Sequence, residues 1–151
     1  MKVLEMEIVG DPLSVNNFFY AAATRSPKLE SLTLKTDIKA MDVENSLRAA
    51  ISNWTALQSL TVPRYYLRPS VLEAAASLPN LLSLQVNYLN KPQYDQAALL
   101  QDLPSNGFSK LETFGFNSML PTALVMQTFR RSFTTLETVV PTSYRSAWIV
   151  V

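Results

Sequence analysis

Cysteine and histidine are both missing from this chain of 151 residues. Their absence removes a disulfide framework, a Cys/His zinc site, Ser-His-Asp and Cys-His nucleophiles, and an imidazole switch near neutral pH. A cysteine-free domain fits a reducing compartment, so the expected location is intracellular, in cytoplasm or nucleus. Glycine is scarce, with three residues, and no glycine-rich phosphate loop can be drawn. Long hydrophobic runs are lacking too: charge or proline interrupts every apolar stretch before the roughly 20 residues a membrane helix needs. The N-terminal MKVLEMEIVG alternates glutamate with apolar residues, unlike the unbroken apolar core of a secretory signal. Thirteen basic residues against twelve acidic ones, all scattered, give no basic footprint for nucleic acid or for an anionic membrane.

What is present is a repeated hexad, apolar-x-x-apolar-x-apolar. It reads VLEMEI from Val3, LESLTL from Leu29, LQSLTV from Leu57, LLSLQV from Leu81, LETFGF from Leu111 and LETVVP from Leu136, at spacings of 26, 28, 24, 30 and 25 residues. The fourth and sixth positions of each hexad are two apart and share one face of an extended strand, while the fifth points away. The fifth positions are Glu7, Thr33, Thr61, Gln85, Gly115 and Val140, mostly polar, which is the pattern of a half-buried strand. The predicted inner ladder is Met6/Ile8, Leu32/Leu34, Leu60/Val62, Leu84/Val86 and Phe114/Phe116. Strands are expected at 3–8, 31–35, 59–63, 83–87, 113–117 and, short or irregular because of Pro141, 137–140.

Between hexads the chain carries helix signals. Asp11-Pro12 offers a cap with proline at the first helical position, Asp42 can cap DVENSLRAAI, and Ser70 with Glu73 forms a capping box. Apolar positions follow at Phe18, Phe19 and Ala22, then Leu47, Ile51 and Trp54, then Leu72, Ala75 and Leu78, then Leu99, Leu100 and Leu103, and last Leu124, Met126, Phe129 and Phe133. A helix in every return makes the strands parallel. Units of about 26 residues of this kind predict an α/β leucine-rich-repeat solenoid of about six repeats, with a parallel sheet on the concave side and helices on the convex side. The whole of 1–151 is then one domain. It starts in a strand and ends at SAWIVV partway into a sixth helix, as a piece of a longer array would, and its uncapped ends invite end-to-end self-association.

The LESLTL-type strands, with segments such as SPKLESL and SLPNLLSL, resemble the irregular leucine-rich-repeat region of divergent, fungal-type F-box proteins. The usual Asn or Cys at the ninth position of that repeat is replaced by Asp11, Asp37, Tyr65, Leu89, Met119 and Tyr144. The resemblance implies an array that recruits a protein substrate to a ubiquitin ligase, but the F-box itself has no counterpart, since residue 3 already lies in a repeat.

Candidate binding residues follow from the strand's outer face and its rim. That face should be lined by Glu5, Glu7, Ser31, Thr33, Lys35, Ser59, Thr61, Arg64, Ser83, Gln85, Asn87, Tyr88, Thr113, Asn117, Thr138 and Thr142, a neutral surface of hydroxyls and amides suited to a protein or peptide. The most pointed feature is PRYYLRP at 63–69, where arginine and tyrosine, the residue types that anchor interfaces, cluster after the third strand. The candidate partner-binding set is Arg64, Tyr65, Tyr66, Tyr88, Asn87, Lys35 and Asn117. The competing reading has Tyr65 packing inward with the arginines solvated. Glu5 and Glu7 share a face at carboxylate-pair spacing, but no partner acid, base or metal ligand converges on them. The expected function is therefore a non-catalytic protein-interaction module without cofactor or metal, possessing no nucleic-acid or membrane partner. The alternative is a structural or assembly segment of a larger repeat protein.

Overall fold

The computed structural model describes residues 2–7, 12–35, 43–87, 101–105, 107–116 and 147–150. Six strands form one sheet in the order of the sequence: β1 (Val3–Glu7), β2 (Ser31–Lys35), β3 (Ser59–Pro63), β4 (Ser83–Asn87), β5 (Thr113–Phe116) and β6 (Ala147–Val150). The first five are parallel neighbours. Helices α1 (Pro12–Arg25), α2 (Glu44–Asn53) and α3 (Pro69–Ala76) occupy the first three returns. α1 packs on α2 and α2 on α3, so the three form one layer against a single face of the sheet.

The sixth strand departs from expectation. It pairs antiparallel with β5, Phe114 opposite Ile149 and Gly115 opposite Trp148, so the segment expected to enter a sixth helix is extended instead. Short apolar runs such as AWIV suit strand and buried helix alike, and its β-branched and aromatic residues favour the strand. The expected strand at 137–140 lies outside the described residues.

One hydrogen-bond motif repeats at each strand entry. The Lys2 carbonyl accepts from the N–H groups of Glu30 and Ser31 at 2.8 and 2.9 Å, Glu30 from Gln58 and Ser59 at 2.8 and 3.1 Å, Gln58 from Leu82 and Ser83 at 2.8 and 2.9 Å, and Leu82 from Glu112 and Thr113 at 2.8 and 2.9 Å. Equivalent residues are therefore Lys2, Glu30, Gln58, Leu82 and Glu112, and the first unit begins two residues earlier than the hexad VLEMEI suggests. Pairing of Leu4 with Leu32 and of Met6 with Leu34 corrects the expected Met6/Ile8 ladder to Leu4/Met6. A shift of two leaves every side chain on its own face, so alternation alone cannot detect it.

The core fills the space between the sheet and the helix layer. Leu32, Leu34, Leu60, Val62, Leu84, Val86 and Phe114 enter it from the strands, and Val15, Phe19, Leu47, Ile51, Trp54, Leu72, Ala75 and Leu78 from the helices and their ends, all buried. Full burial of each large aliphatic side chain contributes about 1.5–3 kcal/mol, which makes this ladder the main source of cohesion. Side-chain links then join unit to unit. Ser46 Oγ donates to Asn16 Oδ1 at 2.5 Å, joining α2 to α1, and Ser70 donates to the Glu44 carboxylate, joining α3 to α2. Asn80 Nδ2 reaches the Thr55 carbonyl at 3.1 Å in the turns below.

Two local details depart from the helix signals. Arg68, extended at φ −77° and ψ 161°, precedes α3 and Pro69 takes its first turn, so Ser70 lies inside the helix and the expected capping box with Glu73 does not form. Val43 stands at the N-cap of α2 with no side-chain cap, and Asp42 lies outside the described residues. A third detail concerns Pro63, the last residue of β3. Proline has no N–H, and the β2–β3 register ends at Thr33 opposite Thr61, whereas β3–β4 runs on to Pro63 opposite Asn87.

Candidate functional site

Because a strand's side chains alternate, the face turned away from the helices collects the odd-numbered residues of β1 to β5. The register aligns them in rows. One row is Val3, Ser31, Ser59, Ser83 and Thr113, and the next is Glu5, Thr33, Thr61, Gln85 and Gly115. Beyond β5 these rows continue by register to Val150 and Trp148. Ser31, Ser59, Ser83, Thr33, Gln85 and Thr113 are half-buried, because short side chains on a flat sheet shield one another. Thr61, in the middle, is only 8% exposed, more enclosed than its outward alternation implies. Val3, on β1, is 64% exposed.

Charge sits at one end of this face. Lys35 Nζ donates to Glu5 Oε1 at 2.6 Å, and both groups are exposed. That hydrogen bond, followed by the Coulomb attraction of the same pair, lowers the Glu5 pKa and raises that of Lys35, with Glu7 adding to the Lys35 shift. The Lys35 cation therefore stabilises the Glu5 carboxylate. Among the described residues no group of three or more acidic side chains gathers as a metal site.

The candidate binding residues divide. Because the strands are parallel, their C-terminal ends share one border of the sheet, and Lys35, Arg64 and Asn87 all fall there: Lys35 ends β2, Arg64 follows β3, and Asn87 ends β4 opposite Pro63. Arg64–Tyr66 forms a single 3-10 turn. Tyr65 is half-buried against the core, with its ring centroid 4.9 Å from that of Tyr66. Tyr66 is 2% exposed and belongs to the core, so it is withdrawn from the anchors expected at the surface. The two rings lie against each other, and the second is the one that enters the interior. Tyr88 and Asn117 lie outside the described residues, as do Thr138 and Thr142. The one element of this face that sequence reasoning missed is β6, whose AWIV run was assigned to a helix.

No helix among the described residues is long and apolar enough to cross a membrane. No protein-family model matches the chain, and no curated protein or solved structure matches it significantly.

Proposed function

We propose that the chain is a leucine-rich-repeat-like array acting as a non-catalytic protein-interaction module inside the cell, in the manner of the substrate-recognition segment of an F-box-like ubiquitin ligase receptor. The observation that carries this reading is the pair of in-register rows on the open sheet face. They set Ser31, Ser59, Ser83, Thr33 and Gln85 as half-buried hydrogen-bonding groups on a rigid parallel sheet, bordered by Lys35, Arg64, Tyr65 and Asn87. Such a surface suits recognition of a protein through its backbone and polar side chains. Further units at the ends, in the alternative role of an assembly segment, would use the strand edge and not this face.

Partner capture tests it. Thr33→Arg/Gln85→Arg places two long cations across the middle of the face, while Tyr20→Arg alters the exposed side of α1. With melting transitions unchanged, proteins cross-linked to the unaltered chain in lysate should be lost with the first variant and kept with the second. Loss with Tyr20→Arg and retention with the double variant would move the interface to the helix layer and sink this reading.

A further inference from the structure

The turn between α1 and β2 differs from its counterparts later in the chain. In each of three such turns a leucine donates its N–H to the carbonyl three residues before it: Leu29 to Ser26 at 3.2 Å, Leu57 to Trp54 at 2.9 Å and Leu111 to Phe108 at 3.2 Å. Trp54 and Phe108 are buried, at 0% and 2% exposure, and fill the core. Ser26, at the same place in its turn, is partly exposed, and its hydroxyl has no hydrogen-bond partner among the described residues. A small hydroxyl thus stands where the other two turns send a large anchor inward, and packing does not account for it.

Its neighbours supply what phosphoryl transfer to a serine needs. Pro27 follows Ser26, and of the nine prolines in the chain no other follows a serine or threonine. Proline has no N–H, so an enzyme groove that leaves this backbone donor without an acceptor penalises every other residue after the serine. Arg25, Pro27 and Lys28 are all exposed. Two hydrogen bonds hold the Ser26 backbone among the described residues: its N–H donates to the Ala22 carbonyl at 2.9 Å, and its carbonyl accepts from Leu29. Helix ends fray, so breaking these two bonds extends the segment for a groove while Leu29 keeps its buried side chain in place.

We propose that Ser26 is a phosphorylation site for a proline-directed protein kinase, and that the cations of Arg25 and Lys28 receive the resulting phosphate. Ser26 Oγ forms a bond to the γ-phosphorus of ATP as the bond from that phosphorus to the bridging oxygen breaks. The hydroxyl proton passes to the base of the kinase, and ADP leaves. The product sets a doubly charged group with three acceptor oxygens between two basic residues. Ser26 precedes β2, at the border where the parallel strands begin, whereas Lys35, Arg64 and Asn87 mark the border where they end. The proposal therefore stands apart from the reading of the sheet face.

The test uses the intact folded chain with Mg-ATP and a purified proline-directed serine/threonine kinase. Mass spectrometry should place one phosphoryl group at Ser26, at a rate within about tenfold of that for a synthetic peptide spanning residues 24–30. Ser26→Ala should remove it and Pro27→Ala should slow it by about tenfold or more, each with the melting transition unchanged. In the phosphorylated chain a phosphorus NMR titration should give a midpoint below the usual value of about 6, and Arg25→Gln/Lys28→Gln should raise it while Ser26 is still modified. Phosphorylation confined to heat-unfolded chain, a folded chain slower than the peptide by more than the stated factor, or an undiminished rate in Pro27→Ala would overturn the site. A midpoint indifferent to the double glutamine variant would overturn the role given to the two cations.

Discussion

Lys35 and Glu5 are ion-paired at 2.6 Å although neither stands opposite the other: Glu5 faces Thr33 in the register and Lys35 faces Glu7. The long lysine reaches diagonally back to the nearer strand's middle residue, leaving its direct partner the weaker contact. Glu5 is pulled below its ordinary value of 4.5, so its contribution to stability is complete above that value and is lost as pH falls through its folded-state midpoint. Lys35 is pushed above 10.5, so its contribution is complete below that value and is lost as pH rises through its own folded-state midpoint. Both groups are exposed and salt screens them, so the check is spectroscopic. In a carboxyl NMR titration the Glu5 midpoint should move up toward 4.5 in Lys35→Met, and also in about 1 M salt, where the Debye length is roughly 3 Å. A midpoint indifferent to both changes would show that the pair does not persist in solution.

The central ladder should be far more sensitive than the face above it. Leu60→Ala or Leu84→Ala opens a cavity in fully buried surroundings and should cost about 2–5 kcal/mol by denaturant unfolding. Thr33→Ala, on a half-buried outward position, should stay within roughly 0.5 kcal/mol. Similar losses from the two classes would contradict the inward and outward assignment. Thr61 is a poor control for this purpose, because its 8% exposure makes its removal a core change.

Gly107 is held by proximity. A Cβ there would lie 2.7 Å from Ala76 Cβ, at the end of α3, and 3.2 Å from Pro104 Cγ. Its neighbour Phe108 adopts left-handed backbone, φ 56°, and donates its N–H to the Ala76 carbonyl at 3.2 Å, so the turn has no slack on the helix side. Gly107→Ala should therefore lower stability by about 1–3 kcal/mol. Adding Ala76→Gly removes the opposing methyl, and the double variant should lose less than the two single losses summed. Strict additivity in the thermal transitions would mean that the contact is not the cause.

Much of this architecture was legible in the sequence because its signals are strictly periodic. Hexads at Leu29, Leu57 and Leu81 place β2, β3 and β4 correctly, since polar Ser, Thr and Gln alternate with leucine and valine there. The first unit was misread by two residues because MKVLEM and VLEMEI satisfy the same pattern, and only the hydrogen bonds to the Lys2 carbonyl distinguish them. At the rim, two adjacent tyrosines look alike on the page. Whether Tyr65 or Tyr66 enters the core depends on the 3-10 turn that follows Pro63, a matter of backbone direction that residue type does not encode.

The missing N–H of Pro63 has a mechanical meaning for the array as a whole. Three residue pairs join β2 to β3 and three join β4 to β5, whereas five join β1 to β2 and five join β3 to β4. Each layer adheres chiefly to its immediate neighbours, so load travels along the stack and concentrates at its least-stitched joints. Pulled or partly denatured, the molecule should part at a three-pair joint, β2–β3 or β4–β5, before the five-pair joints β1–β2 and β3–β4 give way, as a sheet tears along its perforations.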